Sequence, residues 1–116
     1  MSRLSWKAAE LKLARMLNGE RVPVTGRVRG YAPDIEHQHL ALEVKTRKRM
    51  PALLADGMDQ AVKAAEWYVK RGKGERMPAL VIHQDGTHYS GALVVVRLKD
   101  AQDYWGFGEI KEGPTT

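Results

Sequence analysis

Cysteine is absent from the 116-residue chain, which removes disulfide frameworks, thiolate nucleophiles and zinc ribbons in one step and suits a reducing compartment. Long apolar runs are missing as well: nothing approaches the roughly 20 residues that a membrane-spanning helix needs. Residues 1–17 read as a charged helix, unlike a secretory signal, so the expected location is the cytoplasm. There is no internal repeat, no low-complexity tract, no lipidation signal and no amphipathic basic helix. With five prolines, 43% apolar residues and 28% charged residues, the chain is expected to form a single domain over residues 1–116, with a flexible tail at 113–116.

What is present in excess is positive charge. Nineteen Lys and Arg against fourteen Asp and Glu leave a formal charge of +5, which points to an anionic partner, with nucleic acid ahead of membrane. The excess is localised: residues 21–49 hold seven basic and three acidic residues, and the rest of the chain is nearly balanced.

The order of elements follows from periodicity and turn residues. Ser2 or Ser5 can cap a first helix, and Asn18 with Gly19 supplies a left-handed stop. On a helical wheel Trp6, Ala9, Leu13, Met16 and Leu17 share an arc, with Glu10 at its edge. Residues 21–25 are β-prone and lead into a glycine-bounded basic loop at 26–30. Two strand-like stretches at 34–37 and 39–45 are separated by a tight turn. Apolar positions at helical spacing predict a second helix from Pro51 or Asp56 to Lys70. Beyond the linker at 71–75, residues 79–83 and 92–97 read as strands around an Asp85–Gly86 turn, and residues 99–104 as a short helix. This string predicts an α/β fold with a mixed sheet, in which the helix between the third and fourth strands makes that pair parallel.

The chemistry concentrates between Pro33 and Lys45. Alternation puts Leu40, Leu42 and Val44 on one face of a strand and His39, Ala41, Glu43 and Lys45 on the other. If the preceding stretch pairs with it, the Asp34 carboxylate approaches that of Glu43. Two carboxylates held together repel unless a divalent cation or a proton is shared between them. Such acids can hold Mg²⁺, with Mn²⁺ as a substitute, and a nearby lysine can stabilise developing charge during phosphodiester hydrolysis. Taken singly, an acid after proline is a turn residue and an exposed Glu–Lys pair is a solvated one. Acid, acid and lysine together in the right strand parity, with Glu10 upstream, carry more weight than any one of them.

Pro33–Asp34 followed by Glu43–Val44–Lys45 resembles the PD-(D/E)XK signature of the restriction-endonuclease-like nucleases. Over about residues 5–83 the order of elements also resembles that family's αβββαβ core, a central mixed β-sheet flanked by helices. The small size and basic charge are similar to the archaeal-type Holliday junction resolvases, including versions carried by bacteriophages. The resemblance implies metal ligation by Asp34 and Glu43, with the Val44 carbonyl as a further ligand. It makes Lys45 the catalytic lysine and Glu10 an outer or direct metal contact. It further implies phosphate contacts from Arg27 or Arg29, a homodimer, and resolution of four-way DNA junctions by paired cuts. The resolvase pattern carries its arginine and serine slightly upstream, where this chain has Thr25 and Gly26.

Four basic residues in five, Lys45, Arg47, Lys48 and Arg49, follow the proposed site and predict a grip on neighbouring phosphates. The remaining candidates have more than one reading. His37 and His39 form an H-x-H on one strand face, which reads as a phosphate contact or plain exposure ahead of a transition-metal pair. Gly72 and Gly74 lack the spacing of a phosphate loop and read as a linker. Trp67 lies opposite the apolar arc of its helix, as a dimer contact, a base-stacking surface or plain surface. Val94, Val95 and Val96, beside Tyr104, Trp105 and Phe107, are a second candidate for subunit contact. The competing functions are a nuclease of the same fold acting on other branched, damaged or foreign DNA, and a basic nucleic-acid-binding module without catalysis. Carboxylates facing phosphates argue against the module, since they repel them.

Overall fold

The computed structural model describes the backbone of residues 3–23 and 32–106, and side chains from residue 6 onward. It is a mixed α/β structure in the order α1 (Arg3–Met16), β1 (Glu20–Arg21), β2 (Ile35–Glu36), α2 (Ala52–Lys70), β3 (Leu80–Ile82), β4 (Leu93–Val95) and α3 (Leu98–Trp105), with a 3-10 turn at Tyr89–Gly91 between β3 and β4. Its contacts divide the described residues into two units, one up to Lys48 together with Gly106 and one from Arg49 to Trp105.

In the first unit α1 ends where the sequence places its stop. Asn18 adopts a left-handed φ of 58°, and the Gly19 amide donates to the Ala14 carbonyl at 2.8 Å, closing the last turn. Gly19 is required by close approach: a Cβ there would lie 2.6 Å from the Glu36 carbonyl oxygen and 2.7 Å from Ile35 Cγ2. The chain then enters β1, which pairs antiparallel with β2 in the register Glu20 with Glu36 and Arg21 with Ile35. Ile35 is fully buried at 0% exposure and anchors the unit together with Ala14 and Leu17. The buried stripe of α1 is therefore Glu10, Ala14 and Leu17, at helical spacing. Glu10 sits in the middle of that stripe rather than on its rim, and Met16 faces outward.

In the second unit α2 begins immediately after Pro51 and runs to Lys70. Of the apolar positions at helical spacing, Leu54, Met58, Ala61, Val62, Ala65 and Tyr68 are half-buried, while Val69 is exposed. Gly57 allows β3 to approach, because a Cβ at that position would meet both Leu80 methyls at 2.8 Å. Strands β3 and β4 form an antiparallel hairpin in the register Leu80 with Val95, Val81 with Val94 and Ile82 with Leu93. Gly86 turns at φ 81° between them. The face carrying Leu80, Ile82 and Val95 is half-buried, whereas the cross-strand partners Val81 and Val94 are exposed. Helix α3 follows, with an Arg97–Asp100 ion pair at 2.7 Å across its start.

Two expectations change. Among the described residues the strands form two separate two-stranded antiparallel sheets, and no parallel pair joins a third strand to β3. The stretch 39–45 keeps its alternation, with residues 40, 42 and 44 half-buried and 39, 41, 43 and 45 exposed, yet its ladder is reduced to one antiparallel bridge between Ile35 and Leu42. The physical reason lies in where the amides go. The Val44 N–H donates to the Asp34 side chain instead of to a strand carbonyl, and a side-chain acceptor of this kind competes directly with sheet pairing. No helix among the described residues is long and apolar enough to cross a membrane.

Candidate active site

Asp34 is the best-fixed residue of the proposed site. Its amide donates to the Leu42 carbonyl at 3.0 Å and its carbonyl accepts from Val22 at 3.0 Å. Its Oδ2 accepts from the Val44 amide at 2.6 Å. The carboxylate is only 6% exposed, and a charge-assisted bond from a backbone amide is the kind of partner that makes such burial tolerable. The same contact brings the acid from just before β2 beside the 43–45 segment. It engages Val44 through the amide, and not through the carbonyl that the resemblance offers as a metal ligand.

Glu43 and Lys45 extend to one side, as period-two alternation requires. Lys45 Nζ lies 3.6 Å from Glu43 Oε1, with side chains 79% and 63% exposed. A pair this open contributes little to stability, so both groups remain available to a ligand.

Glu10 is 5% exposed, and its Oε1 accepts from Arg21 Nε at 2.9 Å. The guanidinium carbon of Arg21 also stands 5.6 Å from the centre of the Trp6 ring. Glu10 thus reaches β1 through an arginine. Arg21 is the residue that the sequence reading passed over as part of a β-prone lead-in. The signal was available: an arginine opening a strand, with a carboxylate on the apolar stripe of the preceding helix. Among the described residues its buried Nη2 has no hydrogen-bond partner.

Among the described residues no group of three or more His, Asp or Glu side chains is gathered closely enough to cage a metal ion. Magnesium does not need such a cage, because it keeps several waters and is held by one or two carboxylates together with substrate phosphates. Asp34 and Glu43, two hard oxygen donors with a fixed backbone between them, fit that mode.

His37 does not lie on a strand face. Its Nδ1 accepts from the His39 amide at 3.0 Å and from the Leu40 amide at 3.1 Å, so the ring closes the turn between 36 and 40. A nitrogen used in this way cannot also bind a metal, which removes the two-histidine site through that atom. Arg47 and Lys48 are exposed at the end of the first unit, and Arg49, also exposed, begins the second. Arg27, Arg29 and Phe107 lie outside the described residues.

No family model matches the chain, and comparison with curated proteins and with solved structures finds no match.

Proposed function

We propose that this protein is a metal-dependent endodeoxyribonuclease with a restriction-endonuclease-like core, acting as a homodimer on four-way DNA junctions. The observation that carries the reading is the 2.6 Å bond between Asp34 and the Val44 amide. It couples the acid of the Pro33–Asp34 motif to the Glu43–Val44–Lys45 motif through the backbone rather than through sequence pattern alone.

In this reading Asp34 and Glu43 hold Mg²⁺, or Mn²⁺ in its place. Bound there, the ion supplies Lewis-acid polarisation of the scissile phosphate and a water of lowered pKa. Asp34 is immobilised by its three hydrogen bonds, so one acid is preorganised while the exposed Glu43 adjusts to the substrate. Lys45, on the same side as Glu43, places an ammonium against the negative charge that develops on the phosphoryl oxygens. Glu10 holds Arg21 and so ties α1 to the strand that hydrogen-bonds with Asp34. Arg47, Lys48 and Arg49 grip flanking phosphates, and Arg27 or Arg29 adds a further contact. Two subunits, each with one such site, nick the two opposed strands of a junction.

The test uses a labelled synthetic junction and a matched linear duplex, with Mg²⁺, Mn²⁺ or EDTA, and compares wild type with Asp34→Asn and Glu43→Gln. Asparagine preserves an acceptor for the Val44 amide, so lost cutting there reports on charge and not on folding. Paired nicks in the junction alone, abolished by EDTA and by either substitution, are expected. Equal cutting of the linear duplex would transfer the reading to a nuclease acting on other DNA, and metal-independent binding without cutting would overturn it.

A further inference from the structure

The C-terminal end of α2 carries a second cationic feature, in the other unit from the acids and Lys45. Gly72 at φ 69° follows the helix cap. The Gly72 amide donates to Val69 at 3.0 Å and the Lys73 amide to Tyr68 at 2.9 Å, the paired bonds of a Schellman motif. This closure folds the chain back on the helix, so the residues read from sequence as a linker have a fixed position. Lys73 Nζ comes to 5.2 Å from the centre of the Trp67 ring, and the Arg71 guanidinium carbon to 4.1 Å from the same ring. Arg76 stands 4.7 Å from the Tyr68 ring. The two rings support each other edge to face, with centres 5.1 Å apart and planes at 86°.

Four cations, Lys70, Arg71, Lys73 and Arg76, therefore crowd into seven residues, all of them exposed. Among the described residues none makes an ion pair, not even with the neighbouring Glu66 and Glu75. Offsetting the helix dipole does not account for them. Arg71 reaches the Trp67 carbonyl only at 3.4 Å, and Arg76 bonds the loop carbonyls of Lys73 and Glu75 rather than those of the helix. Like charges this close repel, and a polyanion relieves that repulsion while releasing its own counterions. The aromatic rings act as the support. A ring already engaged by two cations is a poor platform for a base, but a guanidinium lying over it keeps N–H donors on its edge for phosphate oxygens.

We infer that this end of α2, with Lys70, Arg71, Lys73 and Arg76 held over Trp67 and Tyr68, grips the sugar-phosphate backbone of DNA as a second contact surface. The inference rests on the reading of the protein as a DNA enzyme, yet it concerns binding and not chemistry. It also selects among the roles open to Trp67: support for phosphate-binding cations, in place of a base-stacking face or a subunit contact.

The experiment measures binding of a labelled DNA duplex to the full-length chain as salt is varied, for wild type and for the combined variant Arg71→Gln, Lys73→Gln, Arg76→Gln. Each lost phosphate contact lowers the slope of log K against log salt by about 0.9, and weakens binding about fivefold at ~0.15 M salt. The combined variant is expected to lower the slope by about 2.7 and to weaken binding about a hundredfold, with the cutting rate at saturating DNA unchanged. Should that variant fail to fold, Lys73→Gln, which removes an ammonium that among the described residues makes a ring contact and no ion pair, is expected to lower the slope by about 0.9 on its own. An unchanged slope in wild-type-like folded variants overturns the inference, as does patch-dependent binding of polyglutamate or anionic phospholipid vesicles in preference to DNA. Patch-dependent DNA binding without any cutting supports the inference and overturns the nuclease reading. Cutting with no dependence on the patch does the reverse, and a wild type that binds no DNA overturns both.

Discussion

Separating Glu10 from Arg21 is the most discriminating perturbation of the first unit. At a separation of ~4 Å between charge centres and an effective dielectric near 20, the two charges attract by about 4 kcal/mol. Desolvation offsets much of this in the intact pair, but a single substitution loses the attraction and keeps the cost of the remaining buried charge. Arg21→Met takes one cation from a carboxylate that is 5% exposed, and about 3 kcal/mol of destabilisation is expected. Glu10→Leu should cost less, about 1–3 kcal/mol, because the Arg21 side chain is 19% exposed and its head can turn toward water. The double variant should lose about 2 kcal/mol less than the sum of the two, a coupling typical of residues in direct contact. Urea unfolding of the four proteins, with m-values compared to confirm a common unfolded state, measures this. Against a usual total of about 5–15 kcal/mol, the Arg21 effect is large enough to leave no ambiguity. A cost below about 1 kcal/mol for Arg21→Met, adding to Glu10→Leu without coupling, would mean that the pair is solvated and that Glu10 is held by something else.

Three further outcomes follow from particular contacts. Replacing Arg47, Lys48 and Arg49 with Ala should lower the salt slope of DNA binding by up to about 0.9 per residue while leaving the cutting rate in the saturated complex near wild type; equal affinity at low and high salt in the unmodified protein would contradict this. Gly19→Ala should cost about 1–3 kcal/mol, read in the urea midpoint, because the new Cβ would meet the backbone oxygen of Glu36 at 2.6 Å. His37→Ala should lose about 1–2 kcal/mol with its two accepted bonds, and His37→Asn should regain most of it as an Asx-type turn; a transition-metal-dependent stability of the unmodified protein, abolished by either variant, would return His37 to metal binding.

Elements fixed by local chemistry were legible in the sequence. The stop at Asn18 and Gly19, the start of α2 after Pro51, the Asp85–Gly86 turn and the short α3 each depend on a few adjacent residues, and each forms where periodicity and turn chemistry put it. Pairing across long separations was not legible. Residues 39–45 carry the alternation of a half-buried strand, and alternation reports which side chains face inward without saying where the amides bond. The Val44 amide goes to the Asp34 carboxylate, and the single bridge at Leu42 is what is left of the ladder. Glu10 was misplaced for a related reason. A helical wheel drawn from apolar residues alone treats a carboxylate as rim, whereas an arginine delivered from β1 makes the middle of the stripe habitable for it.

The two acids of the proposed site differ in a way that bears on how it would work. Asp34 is buried and held by backbone bonds on both sides, so its position is set by the fold before any ligand arrives. Glu43 is exposed and, among the described residues, pairs with Lys45 at 3.6 Å, so its position is free to follow whatever lies beside it. A site made entirely of residues like Asp34 would bind a cation tightly with no substrate present, and one made entirely of residues like Glu43 would have no fixed geometry. One of each gives a half-formed site that a substrate phosphate can complete, supplying oxygen ligands to the ion and a counter-charge to Lys45. On the proposed reading, an ion held by Asp34 and Glu43 would draw further oxygen ligands from the substrate phosphate, and few protein ligands would be needed.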